Sequence, residues 1–214
     1  ARNDFLGVLA MHLKLSGVAL LLAGLVGIPL GIWISRYGVT ARVVVNAAGV
    51  VRVIPSIAIL FLLLPSQGIG FRPSVIALTL LAIPPLLINT EAGMRGVDPA
   101  TVEAGEGLGM SALQLLWRVQ LPLAMPVILA GVRIAAVEVI ASATLATFIG
   151  GGGLGDFIYA GLSLSRNYLL LVGALPVALL AFGTGVGLGY LQRAVAPKGI
   201  SAPEPASKRE AAAA

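Results

Sequence analysis

The sequence predicts an all-α integral membrane protein of about five transmembrane helices, on three grounds. Hydrophobic residues make up 58% of the chain and charged residues 11%, with a mean hydropathy of +0.99. That leaves too little polar surface to coat a soluble globule of 214 residues. Apolar runs with few charges recur at lengths close to the roughly 20 residues a helix needs to cross a bilayer. Between two of these blocks lies one long polar-flanked stretch, Asp98 to Pro126, which reads as short helices outside the bilayer.

In chain order, Ala1 to Lys14 is polar enough to lie at a surface. Leu15 to Ser35 is a charge-free first span, too long for the apolar part of a cleavable signal peptide. Its Gly24, Gly27 and Gly31 include a Gly-x-x-x-Gly pair, which permits close helix packing where lipid offers no hydrophobic drive. Arg36 and Arg42 bracket a short turn, and Val43 to Leu64 is a second span that contains Arg52 and Pro55. Pro65 to Pro73, with Gly68 and Gly70, reads as a loop. Ser74 to Gly93 is a third span, interrupted where Pro84 and Pro85 remove helical hydrogen bonds. Glu91 and Arg95, four apart at its end, are spaced to pair.

The polar stretch is read from its caps. Asp98 caps a helix that starts at Pro99, where a missing N–H does no harm, and Glu103 and Glu106 are assigned to its early turns. Gly107 and Gly109 end or bend it. Ser111 with Gln114 forms a capping-box pattern for a second short helix, which carries Leu113, Leu116 and Trp117 and is expected to stop near Pro122. Leu123 to Ile149 is the fourth span, with Arg133 and Glu138 inside it. The run Gly150 to Gly155 before Asp156 cannot hold a helix and by itself reads as a flexible turn. Tyr168 to Gln192 is the fifth span, with Pro176 and small residues at Gly183, Gly185, Gly187 and Gly189. Residues 1–196 thus form one transmembrane domain with a loop at 98–121, and 197–214, rich in Pro and Ala, is expected to be a disordered tail.

Five spans put the two ends on opposite sides. If the central loop is cytoplasmic, the inner segments hold Arg36, Arg42, Arg95, Arg118, Arg193, Lys198, Lys208 and Arg209, against Arg2, Lys14, Arg72 and Arg166 outside. Eight against four follows the positive-inside rule, with the N-terminus outside and the C-terminus inside. The net charge of +5 therefore speaks for membrane orientation rather than for nucleic acid. No cysteine and a single histidine leave no basis for thiolate chemistry or a metal cluster. Arg52, Arg133 and Glu138 each cost on the order of 2.5–3.5 kcal/mol at a helix centre on insertion scales, so each should face the bundle interior, a water-filled path or a partner. Arg133 reads as buried and structural, while Arg52, Pro55 and Glu138 are candidates to line a translocation path. A pairing of Arg52 with Glu138 is open, although Glu138 lies about 10 Å further along the membrane normal at 1.5 Å per residue.

The residues Glu103-Ala104-Gly105, three more to Gly109, then nine more to Val119-Gln120-Leu121-Pro122 resemble the EAA motif of permease subunits of ATP-binding-cassette importers. Gly105 stands for Ala and Val119 for Ile, with the spacing unchanged. The strings Val53-Ile54-Pro55-Ser56, Ile88-Asn89-Thr90 leading to Gly96-Val97-Asp98-Pro99, and Leu121 to Ile128 through Gly131-Val132-Arg133 resemble the glycine betaine/carnitine/choline group of these permeases. The likeness runs from Leu13 to Arg193, and Arg52 departs from it, standing where a neutral polar residue such as Gln is expected. The run Gly150 to Gly155 resembles the Gly-rich segment that follows this span in betaine-type and methionine-type importer permeases, which implies an ordered loop near the external mouth.

The resemblance implies a type I importer permease fold whose cytoplasmic coupling helix carries Glu103, Ala104, Gly105, Gly109, Leu121 and Pro122. It implies a bacterial or archaeal cytoplasmic membrane, and as partners a second permease subunit (identical or not), cytoplasmic ATPase subunits and an extracytoplasmic binding protein. ATP and Mg would be held by the ATPase, since this chain has no Gly-x-x-x-x-Gly-Lys-Ser/Thr loop, and the chain itself would not be an enzyme. The expected cargo is a small compatible solute such as glycine betaine, choline, carnitine or proline betaine; the alternatives are methionine or another amino acid, or a self-sufficient secondary carrier. Aromatic residues are only 6% and scattered, so a cation–π cage for a quaternary ammonium group is expected in the binding protein or a fused binding domain.

Overall fold

The computed structural model describes residues 5–196, so the tail at 197–214 lies outside the described residues. Every regular element in them is helical. In chain order they are α1 (Phe5–Ile34), α2 (Gly38–Val51), α3 (Ser56–Gln67), α4 (Phe71–Arg95), α5 (Pro99–Gly107) and α6 (Ala112–Leu115). A π-wound turn (Leu116–Gln120) leads into α7 (Leu121–Ser142), which tightens into a 3-10 stretch (Ala143–Ile149). Then follow α8 (Gly155–Ser163) and α9 (Asn167–Val195). Four helical runs are long and apolar enough to cross a membrane alone, and α2 with α3, bent by 90°, give a fifth where the pair counts as one span.

α4 is the centre of the bundle, with α1, α2, α3 and α7 packed around it. Its neighbours come close because small residues face it. A Cβ at Gly31 of α1 would lie 2.7 Å from the Thr90 Cβ, and one at Gly131 of α7 would lie 2.6 Å from the Asn89 Cβ. In lipid, such backbone proximity is a main source of helix association. The Gly-x-x-x-Gly pair of the first span therefore serves packing within the chain, while Gly24 faces open space. The main apolar cluster (Leu15, Leu60, Leu78, Leu81, Val139, Ile149) fills the side toward the Gly150–Gly153 loop, and a second one (Met94, Val97, Leu121, Ala124, Ile128) closes the side toward α5 and α6.

Several expectations are corrected. Within the N-terminal surface stretch α1 already runs from Phe5, with Phe5, Leu6, Leu13 and Lys14 exposed, while His12 is fully buried with its Nε2 3.1 Å from the Ile140 carbonyl. The expected loop at Pro65 to Pro73 shrinks to Gly68–Gly70, because α3 continues through Pro65 and α4 starts at Phe71. The third span is not interrupted. α4 passes unbroken through Pro84 and Pro85, both buried, because neighbouring helices enclose it and hold its axis. The break falls instead in the second span at Arg52–Pro55, where Pro55 withdraws a donor and disfavours helix at Ile54.

The helix begun at Ser111 does not stop at Pro122; the π turn precedes that proline, and one helical run extends from Ala112 to Ile149. Glu106 lies in the last turn of the nine-residue α5, not an early one, so the dipole there does not favour it.

The order of ends follows from local contacts. Ile34 and Ala41 pack with Leu87, late in α4, so the α1–α2 turn sits on the α5–α6 face. The Gly70 N–H donates to the Ile149 carbonyl (2.7 Å), so the α3–α4 turn sits on the opposite face, beside the glycine-rich loop. The bent α2–α3 pair therefore crosses once, as a broken span rather than a re-entrant hairpin. Phe5 and Val195 end on opposite faces.

Candidate functional site

The polar stretch is built as its caps predict. The Asp98 carboxylate accepts from the Ala100 N–H (3.1 Å) with Pro99 at the first helical position. At the second helix the Gln114 N–H donates to the Ser111 Oγ (3.3 Å) while the Ser111 N–H donates to the Gln114 Oε1 (2.8 Å), a full capping box. Between the two helices, Gly109 has φ +77°, a left-handed conformation that a side chain disfavours, and its N–H donates to the Glu106 carbonyl (2.9 Å). The Met110 N–H returns to the Gly105 carbonyl (3.1 Å), which folds the corner back on α5.

The six motif residues divide by what they touch. Gly105 and Leu121 face inward: a Cβ at Gly105 would lie 2.6 Å from the tip of Leu115, and Leu121 joins the Met94 and Val97 cluster. Gly109 sets the corner. Glu103, Ala104 and Pro122 are exposed. Around them project apolar side chains with nothing to cover them: Leu108 is 84% exposed, Leu113 65% and Trp117 64%. The corner is thus rigid, acidic at Glu103 and Glu106, and apolar at its tip.

The second set of residues lies within the spans. Arg52 and Pro55 are exposed at the α2–α3 corner. Ser56, the first residue of α3, meets Ser142 of α7 (Oγ to Oγ 3.5 Å), which brings the corner to the turn of α7 that follows Glu138. Arg52 and Glu138 do not close to an ion pair; among the described residues Glu91 and Arg95 do so, at 2.8 Å. Arg133 is not buried. It and Glu138 line one groove of about 800 Å³ between α7 and α9, where Gly185 and Gly189 leave room for the guanidinium. The small residues of the fifth span are therefore used on one side only; Gly183 and Gly187 face open space.

Ser56 and Ser142 escape a sequence reading, although Ser142 stands four residues after Glu138 and so on the same helix face. The Gly150–Gly153 loop is ordered. The Gly151 N–H donates to the Ala146 carbonyl (2.8 Å), and the loop approaches His12 of α1 and Ser74 of α4 so closely that side chains at Gly151 and Gly153 would meet them. Thr147 donates to the Asp156 carboxylate across it (2.5 Å).

Comparison with known proteins agrees with this geometry. The family described as binding-protein-dependent transport system inner membrane component matches residues 27–198. The carnitine transport permease protein OpuCB of Listeria monocytogenes is 45% identical over 189 residues, 88% of this chain and 87% of that protein. The glycine betaine/carnitine/choline transport system permease protein OpuCB of Bacillus subtilis is 40% identical over the same shares. The osmoprotectant import permease protein OsmW of Salmonella typhimurium is 40% identical over 88% of this chain and 90% of its own length. Among solved structures, an inward-facing MetNI methionine ABC transporter superposes with TM-score 0.79 at 20% identity, covering 92% of this chain and all of that one.

Proposed function

As the chain belongs to the family of binding-protein-dependent transport system inner membrane components, we propose that it is the membrane-spanning subunit of an ATP-driven importer for a small compatible solute such as glycine betaine, carnitine, choline or proline betaine. The solutes for which relatives at 40–45% identity are named support that solute class over methionine, since the methionine transporter's likeness, at 20% identity, speaks for the fold alone. A cytoplasmic ATPase pair hydrolyses ATP with Mg, and a second permease subunit completes the path. An extracytoplasmic binding protein delivers the solute on the glycine-loop face. The N-terminus is outside and the α5–α6 corner cytoplasmic, in agreement with the eight-to-four excess of basic residues.

The observation that carries the reading is the α5–α6 corner. Leu108, Leu113 and Trp117 form an uncovered apolar tip on a doubly capped corner, a shape suited to a groove in a soluble partner. One end of the corner runs through the π turn into α7, so a displacement of the tip is passed to Glu138 and the groove by a continuous helical run. Gentle solubilisation and isolation, beside a Gly109→Trp variant, tests this. The parent should retain an ATPase, and the variant, whose side chain meets a positive φ at the corner, should lose it at unchanged yield. A parent isolated without an ATPase, under conditions that preserve other membrane complexes, would sink the importer reading in favour of a gradient-driven carrier.

A further inference from the structure

Gly155, Ile158, Tyr159 and Leu162 of α8 recur at helical spacing and so share one face. That face lies against Thr144, Leu145, Thr147 and Phe148 of the 3-10 stretch, with a cavity of about 190 Å³ between them. The two walls are held close at Gly155, where a Cβ would collide with the Thr144 carbonyl oxygen. The Phe148 and Tyr159 rings, distant in sequence, meet here edge to face, with centroids 5.6 Å apart. In such a pair the ring that gives its edge keeps both faces free of its partner. Both threonine hydroxyls of the wall are already committed, Thr144 to the Ala141 carbonyl (2.7 Å) and Thr147 to the Asp156 carboxylate (2.5 Å). No charged side chain lines the cavity, but the Asp156 carboxylate stands one hydrogen bond behind Thr147 and has no ion pair among the described residues. Of the cations on this face, Lys14 stands over the Phe71 ring (5.1 Å) and Arg166 donates to the Tyr168 hydroxyl (3.3 Å); neither they nor Arg72 line the cavity.

We propose that this cavity is an entry subsite for a quaternary ammonium group. A trimethylammonium head has no N–H to satisfy, so a wall without free hydroxyls costs it no hydrogen bond, while the aromatic rings and the carboxylate behind them attract its diffuse charge. A primary ammonium, such as that of methionine, would give up its hydrogen bonds to water there and gain none from the lining. The cavity adjoins the glycine-rich loop, on the face where the binding protein delivers, so the cargo meets it before the spans. The subsite rests on the importer reading above and gives a reason within this chain for its cargo chemistry.

Equilibrium binding of choline to the purified permease–ATPase complex, with the binding protein left out, tests it. The parent should bind choline saturably, and its neutral isostere, with carbon in place of the nitrogen, about ten-fold more weakly. Phe148→Leu and Tyr159→Leu should each weaken choline binding about ten-fold, Tyr159→Phe should keep it, and Asp156→Asn should weaken it several-fold. Glycine betaine should displace choline and methionine should not. Absence of saturable choline binding to a parent that retains its ATPase would overturn the subsite and leave the importer intact. Equal binding of the neutral isostere would reduce the cavity to an ordinary apolar cleft, and that comparison is made on the parent, so it stands even where a leucine variant fails to assemble. Undiminished choline binding in both leucine variants would place the cation elsewhere and also overturn the subsite. Loss of the ATPase from the parent itself would instead strike the importer reading.

Discussion

At the scale of single residues, the glycines of this chain separate into those that hold helices together and those that merely line them. Gly131 abuts the Asn89 Cβ and the Pro85 carbonyl, neither of which can swing away, whereas Gly187 faces open space on α9. Gly131→Ala should therefore lower stability by about 1–3 kcal/mol, the usual cost of overpacking. Gly187→Ala should be neutral or slightly stabilising, since alanine favours a helix. Thermal midpoints of the two variants in one detergent check this; equal shifts would mean that α4 and α7 do not meet at Gly131. The six motif positions were legible as a pattern, but their division was not. That Gly105 is covered by Leu115 while Ala104 is exposed depends on how α6 folds back on α5, which spacing alone does not fix.

At the scale of elements, caps were the most legible feature, because a cap joins residues three or fewer positions apart. Asp98 and Ser111 both act as expected. Ser111→Ala removes the acceptor of the Gln114 N–H and should cost about 1 kcal/mol, and Ser111→Asp should restore it. The readout is the thermal midpoint of the detergent-solubilised protein, which should fall in the first variant and recover in the second. Proline was a poorer guide. Pro55 breaks a span while Pro84 and Pro85 do not, and the difference lies in the company of each: the double proline sits in the enclosed central helix and Pro55 on an exposed corner. The short α8 and the π turn likewise have no strong local signal; each follows from how α7 and α9 must be joined and entered.

At the scale of the whole molecule, five crossings place the α5–α6 corner and the glycine loop on opposite faces. The absence of cysteine makes their sidedness easy to read. Leu108→Cys and Leu162→Cys, at exposed positions on the two faces, each introduce one thiol. An impermeant maleimide should label the Leu108 variant only in inside-out vesicles and the Leu162 variant only in right-side-out ones. The reverse pattern would invert the orientation and remove the corner from the reach of ATP.

The number of crossings, the capped corner and the family pattern were determined by the sequence itself, because hydropathy over about 20 residues, caps over three or four and motif spacings over about twenty are all properties of contiguous chain. What only the tertiary structure decided is which distant residues meet. Ser56 and Ser142 are 86 positions apart. They become neighbours only through the bend at Pro55 and the packing of α3 and α7 beside the central helix. Arg133 turned outward for the same kind of reason: Gly185 and Gly189, more than fifty residues later, make the room it occupies.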